Sequence, residues 1–213
     1  MKTRDRILQI SRDLFNEEGE ADQTAVDIAN VLNISPGNLY YHFKGKDAII
    51  HALFDAFEEE MLIILRGSRG AITSIQDSWV YIYIIFEEIY DFRFFYRNLG
   101  ALLVRYPDLA RRFEHLLDEK RAAVKNLITD LQSVGLVSIT PLMNEMLEEQ
   151  MLMTATFWLS MDQIERRDLP SKHLIHRTVY QIMTLIVPHM GEAGFAALKA
   201  MRGYYEAAID TAD

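Results

Sequence analysis

The 213-residue sequence predicts an all-α protein in two parts, a small three-helix N-terminal head and a larger helical body. Three observations predict it. Apolar residues recur at helical spacing along most of the chain, no segment alternates with period two between turn dipeptides, and caps, prolines and glycines punctuate the pattern at helix-length intervals.

Ile7, Ile10, Leu14 and Phe15 form one stripe of a first helix that Gly19 can end. Thr24 caps a short second helix carrying Val26, Ile28, Ala29 and Leu32. After Asn33 and Ile34, Ser35-Pro36 supplies an N-cap and a proline at the first helical position, opening a two-turn helix with Leu39 and Phe43 inward. Lys44-Gly45-Lys46 breaks it, and a longer linking helix starts at Asp47 and persists to the interruption at 67–70. We therefore divide the chain into a head, 1–46, and a body, 47–213. In the body the punctuation predicts helices over 73–98 with a break near Asp91, 99–106, 108–134, 141–167, 171–190 and 192–209.

Half the residues are hydrophobic and a quarter charged, the balance of a globular chain. There is no cysteine, which removes disulfides, thiolate metal sites and cysteine nucleophiles and fits a reducing cytoplasm. The two longest stretches without Asp, Glu, Lys or Arg are 14 residues each, 131–144 and 178–191, short of the ~20 that span a bilayer. No signal-peptide pattern opens the chain, so we expect a cytoplasmic protein with no membrane partner. The net charge of −9, from 22 Lys+Arg against 31 Asp+Glu, argues on its own against a polyphosphate partner. Residues 1–50 carry six bases and eight acids, a net −2, so few phosphates could be neutralised per chain.

Two short helices with a tight turn between them are nonetheless the layout of a helix-turn-helix. The second exposes Ser35, Asn38, Tyr40, Tyr41 and His42 and is followed by Lys44 and Lys46. An amide such as Asn38 can pair bidentately with adenine and a ring such as Tyr41 can meet a thymine methyl, while hydroxyl, imidazole and ammonium groups suit phosphate oxygens.

The string Arg6-Ile7-Leu8, Leu14-Phe15, Gly19, Thr24, Ile28-Ala29, Ile34-Ser35, Gly37, Leu39-Tyr40-Tyr41-His42-Phe43 and Lys46-Asp47 resembles the N-terminal domain of the TetR/AcrR family of bacterial transcriptional regulators, without a gap over residues 4 to about 50. The resemblance implies a third helix lying in the major groove, with Pro36, Gly37, Asn38 and Tyr41 at its base-facing edge and Thr24, Tyr40, His42 and Lys46 as backbone clamps. Three positions depart from the family pattern. Asn33 replaces a turn glycine but tolerates φ > 0. Glu20 stands where an apolar residue is usual, and Ala25 where a second hydroxyl is common.

The body's helix over 79–97 is apolar on more than one face, and 142–161 is rich in methionine, whose flexible thioethers suit irregular cavities and adaptable surfaces. We expect Trp79, Tyr83, Tyr90, Phe94, Met153 and Trp158 to line a pocket for a small, mainly apolar effector, with Arg93 or Arg97 near its polar end. The family resemblance further implies a homodimer on a double-stranded DNA operator. Its interface is expected from 141–167 and 171–190, through Met151, Thr154, Phe157 and Trp158 and through Ile175, Val179, Ile182 and Ile186.

An enzyme has no positive support: Glu-x-x-His pairs, phosphate-binding loops and the Gly-x-Ser-x-Gly elbow are absent, no cofactor is implied, and His173 with His176 lacks a third metal ligand. The reading is a DNA-binding regulator, a repressor released by its ligand; the alternative is a helical protein-interaction module whose head no longer binds DNA.

Overall fold

The computed structural model describes residues 2–67, 70, 72–165 and 170–210, with side chains to 203. It is all-α, as expected from the periodicity. The head is α1 (Thr3–Glu18), α2 (Ala25–Val31) and α3 (Pro36–His42). The body is α4 (Lys46–Gly67), α5 (Ile75–Asp91), α6 (Arg93–Arg97), α7 (Leu99–Arg105), α8 (Pro107–Ser133), α9 (Pro141–Glu165), α10 (Ser171–Ile186) and α11 (Glu192–Asp210). Among the described residues the extended structure is a lone antiparallel bridge, Val137 with Met190.

Local chemistry sets most boundaries. Thr24 and Asp27 form a reciprocal capping box at α2, and the Ser35 hydroxyl accepts the Asn38 N–H at α3 behind Pro36. Asn33 takes φ 54° in the turn between them, which an amide side chain tolerates. The 73–98 segment breaks at Phe92, beside the expected Asp91, and the 171–190 segment leaves the α-helix after Ile186 for a 3₁₀ turn over Val187–His189, where Pro188 cannot continue the ladder. The interruption expected at Ser68-Arg69 and the helix end at Arg167 to Leu169 lie outside the described residues.

One continuous apolar cluster runs from Ile7, Phe15 and Leu39 in the head through Phe54 and Phe57 of α4 to Phe86, Leu127 and Val179 of the body. The expected 46/47 boundary falls inside the first turn of α4, and the apolar cluster runs across it without a gap.

Several body residues expected to seal a dimer are consumed inside the chain. Met151, Trp158, Ile175, Val179, Ile182 and Ile186 are buried within one chain. The large apolar side chains that α9 leaves outside are Leu142, Met143, Met146, Met153, Phe157, Met161 and Ile164, the last four at three- and four-residue spacing.

Candidate nucleic-acid interface

The head presents α3 on a rigid base. Leu39 and Phe43 seat it on the core, and Arg4 lies over the Phe43 ring with its guanidinium 4.9 Å from the centroid. Ser35, Pro36, Gly37, Asn38, Tyr40 and Tyr41 then face outward, Tyr41 most of all at 81% exposure, its ring edge-on to His42. A Cβ added at Gly37 would meet little but the Ser35 hydroxyl at 3.9 Å, so packing inside the molecule does not require glycine there. Lys44 is exposed in the following loop.

Two expected phosphate clamps are already engaged. The Thr24 hydroxyl and N–H both donate to the Asp27 carboxylate, whose pKa those hydrogen bonds hold below the usual range. The Lys46 ammonium donates to the Glu20 carbonyl at 2.8 Å and lies 3.6 Å from the Glu20 carboxylate. Glu20 is itself buried, and Arg105 at the end of α7 donates to both its oxygens, at 2.8 and 2.9 Å. The departure at position 20 thus places a carboxylate where loop, α4 and α7 meet, and Lys46 serves that junction.

A second set of contacts docks α1 on the body. The Asn16 side chain donates to the Asp91 carbonyl and accepts the Phe94 N–H, bridging the break between α5 and α6. Arg97 donates to the Asn16 carbonyl, and Arg93 pairs with Glu17 and stacks on Tyr90. Arg93 and Arg97, read from the sequence as the polar end of a pocket, lie at this head–body seam. Phe94 packs on Phe15 there.

Of the remaining pocket candidates, Trp79 and Tyr83 flank the His176 ring, Trp158 packs edge-on against Phe86 with Tyr90 nearby, and Met153 and Trp158 line one groove of about 400 Å³ with Phe157 and Met161. None of the eight lines the small apolar cavity of about 40 Å³ in the body, whose walls include Leu65, Tyr81, Phe86, Lys120, Met151 and Ile182. Lys120, not singled out from the sequence, is buried on the stripe Leu109, Phe113, Leu116, Lys120, Ala123, Leu127 and Leu131 of α8.

Residues 7–53 match the bacterial regulatory proteins of the tetR family, and residues 56–198 match TetR, a family described as bacterial transcriptional repressor. The chain belongs to the TetR family of bacterial transcriptional regulators. A solved TetR-family regulator from Marinobacter aquaeolei VT8 is 30% identical, superposes with a TM-score of 0.84, and the match covers 96% of this chain and 99% of that one. The HTH-type regulator UidR of Escherichia coli K12 is 28% identical over 78% of this chain and 84% of its own length. IcaR of Staphylococcus aureus strain Newman, a negative regulator of a biofilm operon, is 28% identical over 49% of this chain and 55% of its own. This TetR-family protein is thus a DNA-binding transcriptional regulator, and neither its family nor these relatives are enzymes. Among the described residues, no helix is long and apolar enough to cross a membrane.

Proposed function

We propose that this regulator is a cytoplasmic homodimeric repressor that reads a palindromic operator with its two α3 helices and is released by a small, mainly apolar effector. The observation that carries the reading is the exposed N-terminal edge of α3, where Gly37, Asn38 and Tyr41 project from a helix whose inner face, Leu39 with the following Phe43, is buried. Ser35, Tyr40, His42 and Lys44 stand beside them as phosphate contacts, and the partly exposed N-termini of α2 and α3 supply N–H groups suited to phosphate. One recognition helix reads only a few base pairs, so a two-fold pair is needed for a specific site. The exposed α9 stripe from Met153 to Ile164 is the apolar face suited to that pairing.

A gel shift on DNA flanking the regulator's own gene tests this. Asn38→Ala should weaken operator binding by about 10–100-fold, on the ~1–3 kcal/mol of a bidentate base contact, and leave random DNA unaffected. Lys44→Ala should weaken both alike. Five base pairs inserted between half-sites should abolish tight binding, because heads ~34–36 Å apart must meet one face of the duplex. Equal losses on operator and random DNA for Asn38→Ala would overturn the assignment, and a monomer at micromolar concentration would overturn the dimer.

A further inference from the structure

Residues 1–50 carry six basic side chains, and the fold uses two of them internally. Lys46 is tied to Glu20, and Arg12 turns toward the body, over the Phe92 ring and within ion-pair reach of Asp13 and Asp91. Lys2, Arg4, Arg6 and Lys44 are exposed, and among the described residues none of the four enters an ion pair. The cations left to meet phosphate are therefore Lys44, just past α3, and three at the start of α1, a helix outside the helix-turn-helix itself.

Helical spacing separates these three. Ile7, Ser11 and Phe15 are buried on one face of α1, and Arg4 lies on the same line one turn earlier, where the core of the head ends. Its guanidinium sits 4.9 Å from the centroid of the Phe43 ring, and Phe43 is the residue that closes α3. Arg6 falls on the opposite side of the helix, and Lys2 precedes it. A cation–π contact fixes where the guanidinium stands and leaves its N–H fork for other acceptors. The far end of α1 is seated on the body, where the Asn16 side chain bonds the Asp91 carbonyl and the Phe94 N–H. Arg4 is thus a charge on the end of a braced rod, held beside the segment His42-Phe43-Lys44.

The seven residues of α3 span about 10 Å, close to the ~12 Å width of the major groove. When the N-terminal edge of α3 reads bases, its C-terminal end therefore leaves the groove at a wall of phosphates. We propose that Arg4 is a phosphate anchor supplied by α1 and braced on Phe43, which grips the duplex backbone beside the half-site that α3 reads. The inference rests on that reading of α3 for its placement. It adds a contact from a different helix, and it fills the role that Lys46, bound to Glu20, leaves open. A phosphate contact carries no base preference, so the anchor sets register and raises affinity for every duplex.

The test follows the anisotropy of two labelled duplexes with the full-length protein at about 50 to 200 mM salt: a random sequence of about 30 base pairs, and the DNA flanking the regulator's own gene. Arg4→Gln should weaken both by the same factor, about tenfold near 100 mM salt, and flatten the slope of log affinity against log salt by about 0.9 for each head bound. Arg6→Gln, with its charge on the far side of α1, should lose less than about threefold. Arg4→Lys should restore the slope but only part of the affinity, because an ammonium lacks the planar fork. Circular dichroism melts of the three variants should match the original, since both side chains are exposed. The anchor is overturned if the Arg4→Gln slope stays within about 0.3 of the original, or if Arg6→Gln loses as much as Arg4→Gln. If Arg4→Gln behaves as expected while Asn38→Ala weakens both duplexes equally, base reading by α3 fails and the anchor stands. The reverse pair of results keeps α3 and removes Arg4.

Discussion

Replacing Lys120 with methionine should stabilise the protein, and by more in acid than in base. In the unfolded chain a lysine titrates near 10.5, whereas burial holds Lys120 to about 7 in the fold. At ~1.4 kcal/mol per pH unit the gap corresponds to about 5 kcal/mol of lost stability wherever the lysine is charged in both states. The sign follows from proton counts: between about 7 and 10.5 the unfolded chain holds a proton that the fold has released, so stability rises with pH through this window. Below pH 7 the loss is full, and above 10.5 it vanishes. Methionine removes it at every pH but leaves the Tyr96 hydroxyl without its donor, an orphan worth about 1–3 kcal/mol, which Tyr96→Phe eliminates. Urea unfolding at one protein concentration should therefore show Lys120→Met/Tyr96→Phe more stable than Tyr96→Phe alone, with the difference smaller at pH 9 than at pH 6 by about 3 kcal/mol. A difference equal at the two pH values within about 0.5 kcal/mol would refute the burial of a titrating ammonium.

Three further outcomes are expected. Gly37→Ala should preserve or raise Tm, since nothing in the fold crowds its Cβ and alanine gains up to about 1 kcal/mol in helix propensity, yet weaken operator binding; unchanged DNA affinity would mean that duplex does not approach this edge. Arg105→Met should destabilise by about 1–3 kcal/mol by stripping an ion partner from buried Glu20, and Glu20→Leu in the same chain should restore most of it. A double-mutant cycle with coupling below about 0.3 kcal/mol would remove the junction. His51 is pulled down by burial, but its contacts with the Asp47 carbonyl and the Asp108 carboxylate win and raise its pKa above 6.5. Its contribution is present below pH 6.5 and lost as pH rises through the raised value, so His51→Gln should lower Tm at pH 5.5 more than at pH 8.5, by under about 1 kcal/mol for so exposed a pair.

The head was legible because its signals are local. A cap sits three residues from the N–H it binds, as Ser35 does from Asn38, and a turn residue such as Asn33 declares its own φ. The body was legible in its helices and less so in how they pack. Arg93 and Arg97 reach partners about 80 positions away in α1, and no local periodicity encodes that meeting. The apolar faces of α9 and α10 looked surplus because the buried half of a central helix and an oligomer face have the same composition; packing on α5 and α6 decided which was which. Lys120 lies on the inward stripe of α8, and only the packing of Tyr96 and Phe113 over it shows that its ammonium is buried.

The α4 helix is what joins the two ends. Its first residue, Lys46, is tied to Glu20 and through it to Arg105, and Leu65, one turn from its other end, lines the Lys120 cavity. Asp47 accepts from Tyr106 and Glu58 pairs with Arg112, so α4 is held along its length by α8 and the loop before it. These clamps fix where α4 leaves the head, and with it where α3 stands on the body. An effector of the proposed repressor would shift the heads only by binding one placement of α4 more tightly, and linkage would then require operator DNA to weaken its binding by the same factor. Arg105→Met/Glu20→Leu, with its junction apolar, should keep the fold yet change operator affinity in a gel shift, because the near clamp no longer sets the head. Operator affinity equal to that of the original protein would show that the placement of the head does not depend on this junction.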